Sequence, residues 1–213
     1  MDLFITQNTY YFVHKHFLRF FNKKNSEVIF VKERKRGVIK KYYEFLRVFG
    51  TSKTIFCIFM EFFYMILLIK KRYNLNYTFV NDGSLNEFLA RKLESNKYDR
   101  VISIGCPCLI DNNLQNVHKI KIFNLHGGII PYQKGRFSPI NSIKNNHKFL
   151  GATIHLIDKT FDNGLIISQD YFQISSKSLI TNYNKVLRLS SFLLDNFLQG
   201  KYKSIPDHIL SQF

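Results

Sequence analysis

Asn124 and His126 stand two positions apart at the end of Lys119 to Asn124, a run that predicts a strand, so both side chains leave the backbone on one face. An amide donor and an imidazole on one small patch can stabilise a developing oxyanion and move a proton near neutral pH. Taken alone the pair is weak, because a histidine beside a glycine loop, here LHGGIIP, is more often structural. Asp162 precedes Asn163 and Gly164, and composition alone reads it as a turn aspartate. Cys57, Cys106 and Cys108 form no CxxC pair, and no His/Cys/carboxylate cluster has ligand spacing, so neither a disulfide framework nor a metal is expected.

The order of elements supplies a scaffold for these residues. Leu3 to Thr6 and Glu27 to Val31 predict strands flanking a helix from Tyr10 to Asn22, the alternation of a parallel sheet with crossover helices. Tyr77 to Val80 predicts a third strand, and Asn81, Asp82, Gly83 and Ser84 offer turn and N-cap chemistry before a helix from Leu85 to Ser95. Arg100 to Gly105 is a continuous apolar strand of the kind buried on both faces. Ligands of open α/β sheets collect at the carboxyl ends of such strands, so Cys106, Pro107, Cys108, Leu109 and Ile110 are read as binding residues, with packing as the alternative. Ala152 to Asp158 alternates with period two, and Leu165 to Tyr171 is its expected hairpin partner. Ile180 to Leu198 repeats apolar residues at helical spacing and stops at Gly200. The expected class is α/β, an open sheet with mostly parallel strands and flanking helices.

With 213 residues, 46% of them hydrophobic, one folded domain with a short appendage is the default. The formal charge of +16 would attract a polyanion without saying which one. The basic run Lys32, Arg34, Lys35, Arg36, Lys40 and Lys41 reads as a solvated face or a phosphate-facing loop in preference to a nucleic-acid module. The odd number of cysteines fits a reducing, cytoplasmic setting, and MDLFITQNTYYF lacks the features of a signal peptide. Ile55 to Ile69 is apolar but short and carries Glu61, so it predicts a buried helix, with a membrane-surface helix as the alternative and no stable membrane insertion.

The stretch Phe123 to Gln169 resembles the catalytic domain shared by glycinamide ribonucleotide, methionyl-tRNA and nucleotide-sugar formyltransferases. Asn124, His126, Pro131, Gly135, Pro139, Thr153, His155, Asp162 and Gly164 match that pattern at its offsets. The resemblance implies a Rossmann-like formyltransferase domain over residues 1–200, with 1–75 as a more variable acceptor side and 201–213 as a short tail. It implies Asn124, His126 and Asp162 as the catalytic set: donors to the oxyanion, a titratable imidazole, and a carboxylate that orients it, with an ordered water between substrate and Asp162. Thr153 and His155 are then supporting residues, His155 as a partner of Asp162. The donor is N10-formyltetrahydrofolate, its pterin held by main-chain groups of Cys106 to Ile110 and of Asp158, Lys159 and Phe161, without metal.

Departures from the family narrow the acceptor. The glycine-rich phosphate loop of glycinamide ribonucleotide enzymes is replaced by TQNTYY, and only about a dozen residues follow Gly200, where tRNA-acting relatives continue into a further domain. The departures disfavour those two acceptors, and the resemblance then implies a nucleotide-linked amino-deoxysugar, as used in O-antigen or other surface polysaccharide synthesis. Basic residues would neutralise its diphosphate, and Tyr10, Tyr11, Phe12, Tyr42 and Tyr43 offer stacking surfaces if they are not core. The expected partner is that small molecule and no nucleic acid; homodimerisation stays open. The alternative within the family is a glycinamide ribonucleotide or methionyl-tRNA formyltransferase, and the alternative of another class is a non-catalytic, basic RNA-binding domain.

Overall fold

The computed structural model describes residues 1–8, 11–33, 43, 46, 50–52, 54, 55, 58, 59, 75–135, 138–175 and 178–213. The stretch Ile55 to Ile69 and the basic run after Lys32 lie largely outside the described residues. Among those described, no helix is long and apolar enough to cross a membrane.

Seven strands share one sheet, in the order β3-β2-β1-β4-β5-β6-β7. They are β1 (Asp2–Gln7), β2 (Ser26–Lys32), β3 (Tyr77–Asn81), β4 (Arg100–Ile104), β5 (Ile122–His126), β6 (Phe149–Leu156) and β7 (Ile166–Gln173). The helices are α1 (Tyr11–Phe21), α2 (Leu85–Leu93), α3 (Asn113–Val117), α4 (Ser138–Lys144), α5 (Leu179–Leu198) and α6 (Asp207–Leu210). The chain divides into two compact units, Met1–Ile110 with Val117–Ile120, and Asp111–Asn116 with Lys121–Phe213.

In the first unit β1 pairs in parallel with β2 and β4, and β2 with β3. Leu3, Phe4, Ile5 and Val28 to Val31 are wholly buried, as continuous apolar strands covered on both faces must be. Phe17, Phe20 and Phe21 of α1 cover them, with the Phe21 ring 5.5 Å from Phe4. Glu27 of β2 is buried in this core, 2.5 Å from the Lys92 ammonium, and accepts the Tyr98 hydroxyl at 2.6 Å. The N-cap chemistry expected of Asn81 and Ser84 is not realised. A 3₁₀ turn over Asp82–Ser84 leads directly into α2, and neither side chain makes a cap bond.

In the second unit β5, β6 and β7 form an antiparallel meander, so the expected β6–β7 hairpin is present and β6 starts earlier than period-two alternation suggested. A bulge lies in the β6–β7 pairing at Ile154/His155. Bulges re-aim side chains, and this one falls at a site residue. Helix α5 begins at Ser178, whose hydroxyl accepts from the Thr181 amide, and ends before Gly200 at φ 75°. Residues 201–213 are built into this unit: Ile205 and Ile209 are buried in a cluster with Ile129 and Phe149, and the Phe213 ring stacks on Tyr132 at 5.0 Å.

Candidate active site

Antiparallel pairing of β5 and β6 sets Asn124 opposite His155 and His126 opposite Thr153. Residues two apart on facing strands share one sheet face, so two short motifs distant in sequence become one patch of four side chains. The turn after β6 returns Asp162 to that patch. Asp162 is buried and adopts φ 52°, a left-handed conformation that aspartate tolerates better than most residues.

Hydrogen-bond partners define the proton positions. His126 Nε2 lies 2.6 Å from the Gln133 carbonyl oxygen, which only accepts, so Nε2 carries a proton. Its Nδ1, bare in the neutral ring, faces Asp162 Oδ1 at 3.3 Å. His155 Nδ1 donates to the Leu156 carbonyl at 2.7 Å, leaving Nε2 to accept from Asn124 Nδ2 at 3.1 Å. Asn124 Nδ2 also approaches Asp162 Oδ1 at 3.4 Å, and the Gly135 amide donates to Asp162 Oδ2 at 2.8 Å. His155 Nε2 stands 3.7 Å from Asp162 Oδ1, beyond hydrogen-bond distance.

Burial pushes the His126 imidazole below its ordinary pKa, against the attraction of Asp162 and the Gln133 carbonyl, so the ring is neutral at physiological pH. For Asp162 burial favours the protonated acid, but its polar neighbours, the Gly135 amide that donates to it among them, outweigh burial and hold the carboxyl below the usual range. The pair is therefore a neutral base beside a fixed anion. Nδ1 can take a proton, and the imidazolium so formed is stabilised by Asp162.

Three supports were not among the sequence candidates. Gln133 is buried, accepts the Ile129 amide at 3.0 Å and donates to the Phe149 carbonyl at 2.8 Å, which fixes the turn that presents its own carbonyl to His126. Gln169, opposite Thr153 on β7, donates to Thr153 Oγ1 at 3.0 Å and to the Ile130 carbonyl at 2.8 Å. Thr153 in turn donates to the Gly128 carbonyl at 2.6 Å. Gly128 has no room for a side chain, since a Cβ there would lie 2.4 Å from the Gln133 oxygen and 2.8 Å from His126 Nε2. Neither Gln133 nor Gln169 stands out in the sequence, since each acts through partners that only the fold brings close.

The candidate donor-binding segments fall in the two units. Cys106 to Ile110 follow β4 in the first, where Asn86 donates to the Leu109 carbonyl at 3.2 Å. Asp158, Lys159 and Phe161 lie in the β6–β7 turn of the second, with Asp158 Oδ1 accepting the Lys159 amide. Each segment offers backbone groups and one exposed apolar side chain, Leu109 at 39% and Phe161 at 59%. That chemistry suits a flat, partly apolar heterocycle.

The chain is similar in sequence and in fold to known proteins. The chain is 31% identical over 104 residues to a bifunctional polymyxin resistance protein ArnA from Wigglesworthia glossinidia brevipalpis, covering 48% of this chain and 16% of that protein. It is 36% identical over 80 residues to a dTDP-4-amino-4,6-dideoxyglucose formyltransferase from Mycobacterium bovis, covering 38% of this chain and 33% of that one. The matches thus span a third or less of these relatives' length. The fold superposes on a phosphoribosylglycinamide formyltransferase from Anaplasma phagocytophilum with a TM-score of 0.62 at 17% identity, over 97% of this chain and 89% of that one. The formyl transferase family matches residues 65–191, more than half of the 213 residues and all of the His126–Asp162 cluster, and the chain belongs to that family.

Proposed function

We propose that the protein transfers a formyl group from N10-formyltetrahydrofolate to the amine of a nucleotide-linked amino-deoxysugar. The observation that carries this reading is the convergence of Asn124, His126, His155 and Asp162 on one patch, with a bare His126 nitrogen beside a carboxylate. As the amine attacks the formyl carbon, His126 Nδ1 takes its proton; Asp162 holds the ring and stabilises the imidazolium, which then protonates the departing folate nitrogen. Asn124 supplies the oxyanion donor by turning the N–H of its long 3.4 Å contact toward the substrate. His126 becomes a second donor only as imidazolium, because its one neutral N–H is committed to Gln133. The backbones of Cys106 to Ile110 in the first unit, and those of Asp158 to Phe161 in the second, are the segments this reading assigns to donor binding.

For the acceptor, the end of β1 supports a sugar over a simple phosphate ester. The Asn8 amide donates to the Val31 carbonyl at 3.0 Å, and Gln7 donates to the Glu33 carboxylate at 2.5 Å. Where a glycine-rich loop would present amides to a phosphate, an amide is already used and an anion stands close by. The test is turnover with N10-formyltetrahydrofolate and a panel of nucleotide amino sugars, glycinamide ribonucleotide and charged initiator tRNA. The nucleotide sugar is expected to be preferred at least about tenfold in kcat/KM, which asks about 1.4 kcal/mol of the site. Preference for glycinamide ribonucleotide would overturn the acceptor assignment, and no formyl transfer to any amine would overturn the function.

A further inference from the structure

Cys106 and Cys108 have no part in the proposed formyl transfer beyond their backbones, yet their sulfurs face each other. The Sγ atoms are 3.8 Å apart, within the sulfur hydrogen-bond range, and both residues are half-buried free cysteines. They flank Pro107 in irregular chain that leaves β4 through Gly105, whose φ of 61° is a left-handed conformation. No strand or helix ties the two positions together, and closing the sulfurs from 3.8 Å to a bonded distance of about 2.05 Å is a movement that the chain around Pro107 must take up.

We propose that Cys106 and Cys108 are a thiol pair that a peroxide converts reversibly to an intraloop disulfide, and that the closed ring reshapes the main chain of residues 106–110 and weakens donor binding. The second half rests on the assignment of that main chain to the folate. The two thiols divide the work unequally. Either sulfur can donate in this contact; the contact and desolvation push Cys106 up, while the same contact draws Cys108 down in spite of its own burial and of the acidic Asp82 and Glu33. Cys108 is therefore the attacking sulfur, since the thiolate is the nucleophile. Its thiolate attacks one peroxide oxygen, the O–O bond breaks, and the sulfenic acid forms with release of hydroxide. Cys106 then gives up its proton and attacks the Cys108 sulfur; the S–S bond forms and hydroxide leaves, so two thiols and one hydrogen peroxide yield one disulfide and two waters. A thiol reductant reverses the reaction by exchange.

The test uses the full chain, treated with a small molar excess of hydrogen peroxide, then alkylated and mapped by peptide mass spectrometry. The expected product has lost two hydrogens within the peptide that contains both Cys106 and Cys108, leaves Cys57 free to be alkylated, and returns to two alkylatable thiols after dithiothreitol. Added oxygen on Cys108, or covalent dimers, in place of that loss would overturn the disulfide. Cys108→Ser should show no loss of two hydrogens; if it does, the pairing is wrong. Reduced-folate affinity is measured before and after oxidation, with a fall of at least about tenfold on oxidation and recovery on reduction expected. If the reduced protein binds no folate, the donor assignment fails while the peptide masses still decide the disulfide. If reduced and oxidised forms bind folate equally, the regulatory half is overturned.

Discussion

Asp162 Oδ1 meets His126 Nδ1 at 3.3 Å while His126 Nε2 is bonded to the Gln133 carbonyl at 2.6 Å. One ring nitrogen is thus committed to the scaffold and the other faces an anion. A neutral imidazole held in this way has a single basic position, and its basicity is the balance of burial, which lowers it, against Asp162, which raises it.

That balance gives a pH dependence. Activity needs neutral His126, so kcat/KM should rise with pH and reach half its limit below pH about 6.5, the ordinary histidine value. Asp162→Asn removes the attraction that favours the imidazolium, so the acid limb should move to still lower pH while turnover falls by about 10² to 10⁴. A pH–rate profile of both proteins decides it: an acid limb that moves upward in the variant contradicts the assignment.

Asn124→Ala should lower kcat by about 10² to 10³ through loss of an oxyanion donor, with folate affinity nearly unchanged. The expected split between kcat and affinity is what separates a donor to the transition state from a structural amide. Equal loss of folate binding would show that Asn124 only holds His155 and Asp162 in place.

How much of this could be read from the chain differs by element. The strand pattern was legible because β1, β2 and β4 are continuous apolar runs, and α5 because its apolar spacing extends over five turns' worth of sequence or more. Asn124 and His126 were legible as a pair because a strand places i and i+2 on one face. Asp162 was legible only through the family pattern: in isolation it is a turn residue, and its meeting with His126 depends on tertiary structure. Gln133 left no signal at all, since it acts on His126 through its backbone carbonyl. The short helices α3, α4 and α6 also escaped, being too brief for periodicity to show.

Gly164→Ala tests whether the family glycine is structural. A Cβ there would lie 1.7 Å from the Leu156 carbonyl oxygen, the same oxygen that receives the His155 Nδ1 proton, and 3.4 Å from Nδ1 itself. The neighbour is backbone and cannot step aside, so the substitution should cost about 3 kcal/mol or more in urea unfolding. Wild-type stability in the variant would show the turn to be more yielding than its geometry indicates.

Glu27 provides a test far from the chemistry. Burial would raise its pKa, but the bonds from Lys92 and Tyr98 outweigh it and hold the carboxyl below its ordinary value of 4.5. A depressed carboxylate stabilises the folded state above its unfolded pKa, and that contribution is lost as pH falls through the folded pKa. Glu27→Gln should therefore cost about 2 kcal/mol at pH 7, by loss of charge-assisted bonds, with the deficit shrinking as the pH drops below about 4.5. Urea denaturation at a series of pH values checks it, and a deficit that stays constant down to acid pH would mean the charge contributes nothing.

The last prediction concerns residues 201–213, read from the sequence as a short tail. Ile209 is buried against Ile129 and Phe149, and the Phe213 ring stacks on Tyr132 and meets His147 edge-on at 5.2 Å. Ile129 and Tyr132 belong to the same turn as Gln133, whose side chain ties to the Ile129 amide and the Phe149 carbonyl and whose own carbonyl holds His126. The segment thus supports the far side of the turn that sets the histidine's tautomer. Ile209→Ala should cost about 2 to 4 kcal/mol as a buried large-to-small change. Phe213→Ala, which removes mainly a stacking contact, should cost about 1 kcal/mol and leave the protein folded. In that folded variant, loosening of the Gln133 turn should lower kcat several-fold with folate affinity retained. If Phe213→Ala lowers stability and leaves kcat unchanged, the segment is packing alone and the His126 tautomer is secured by Gln133 without it.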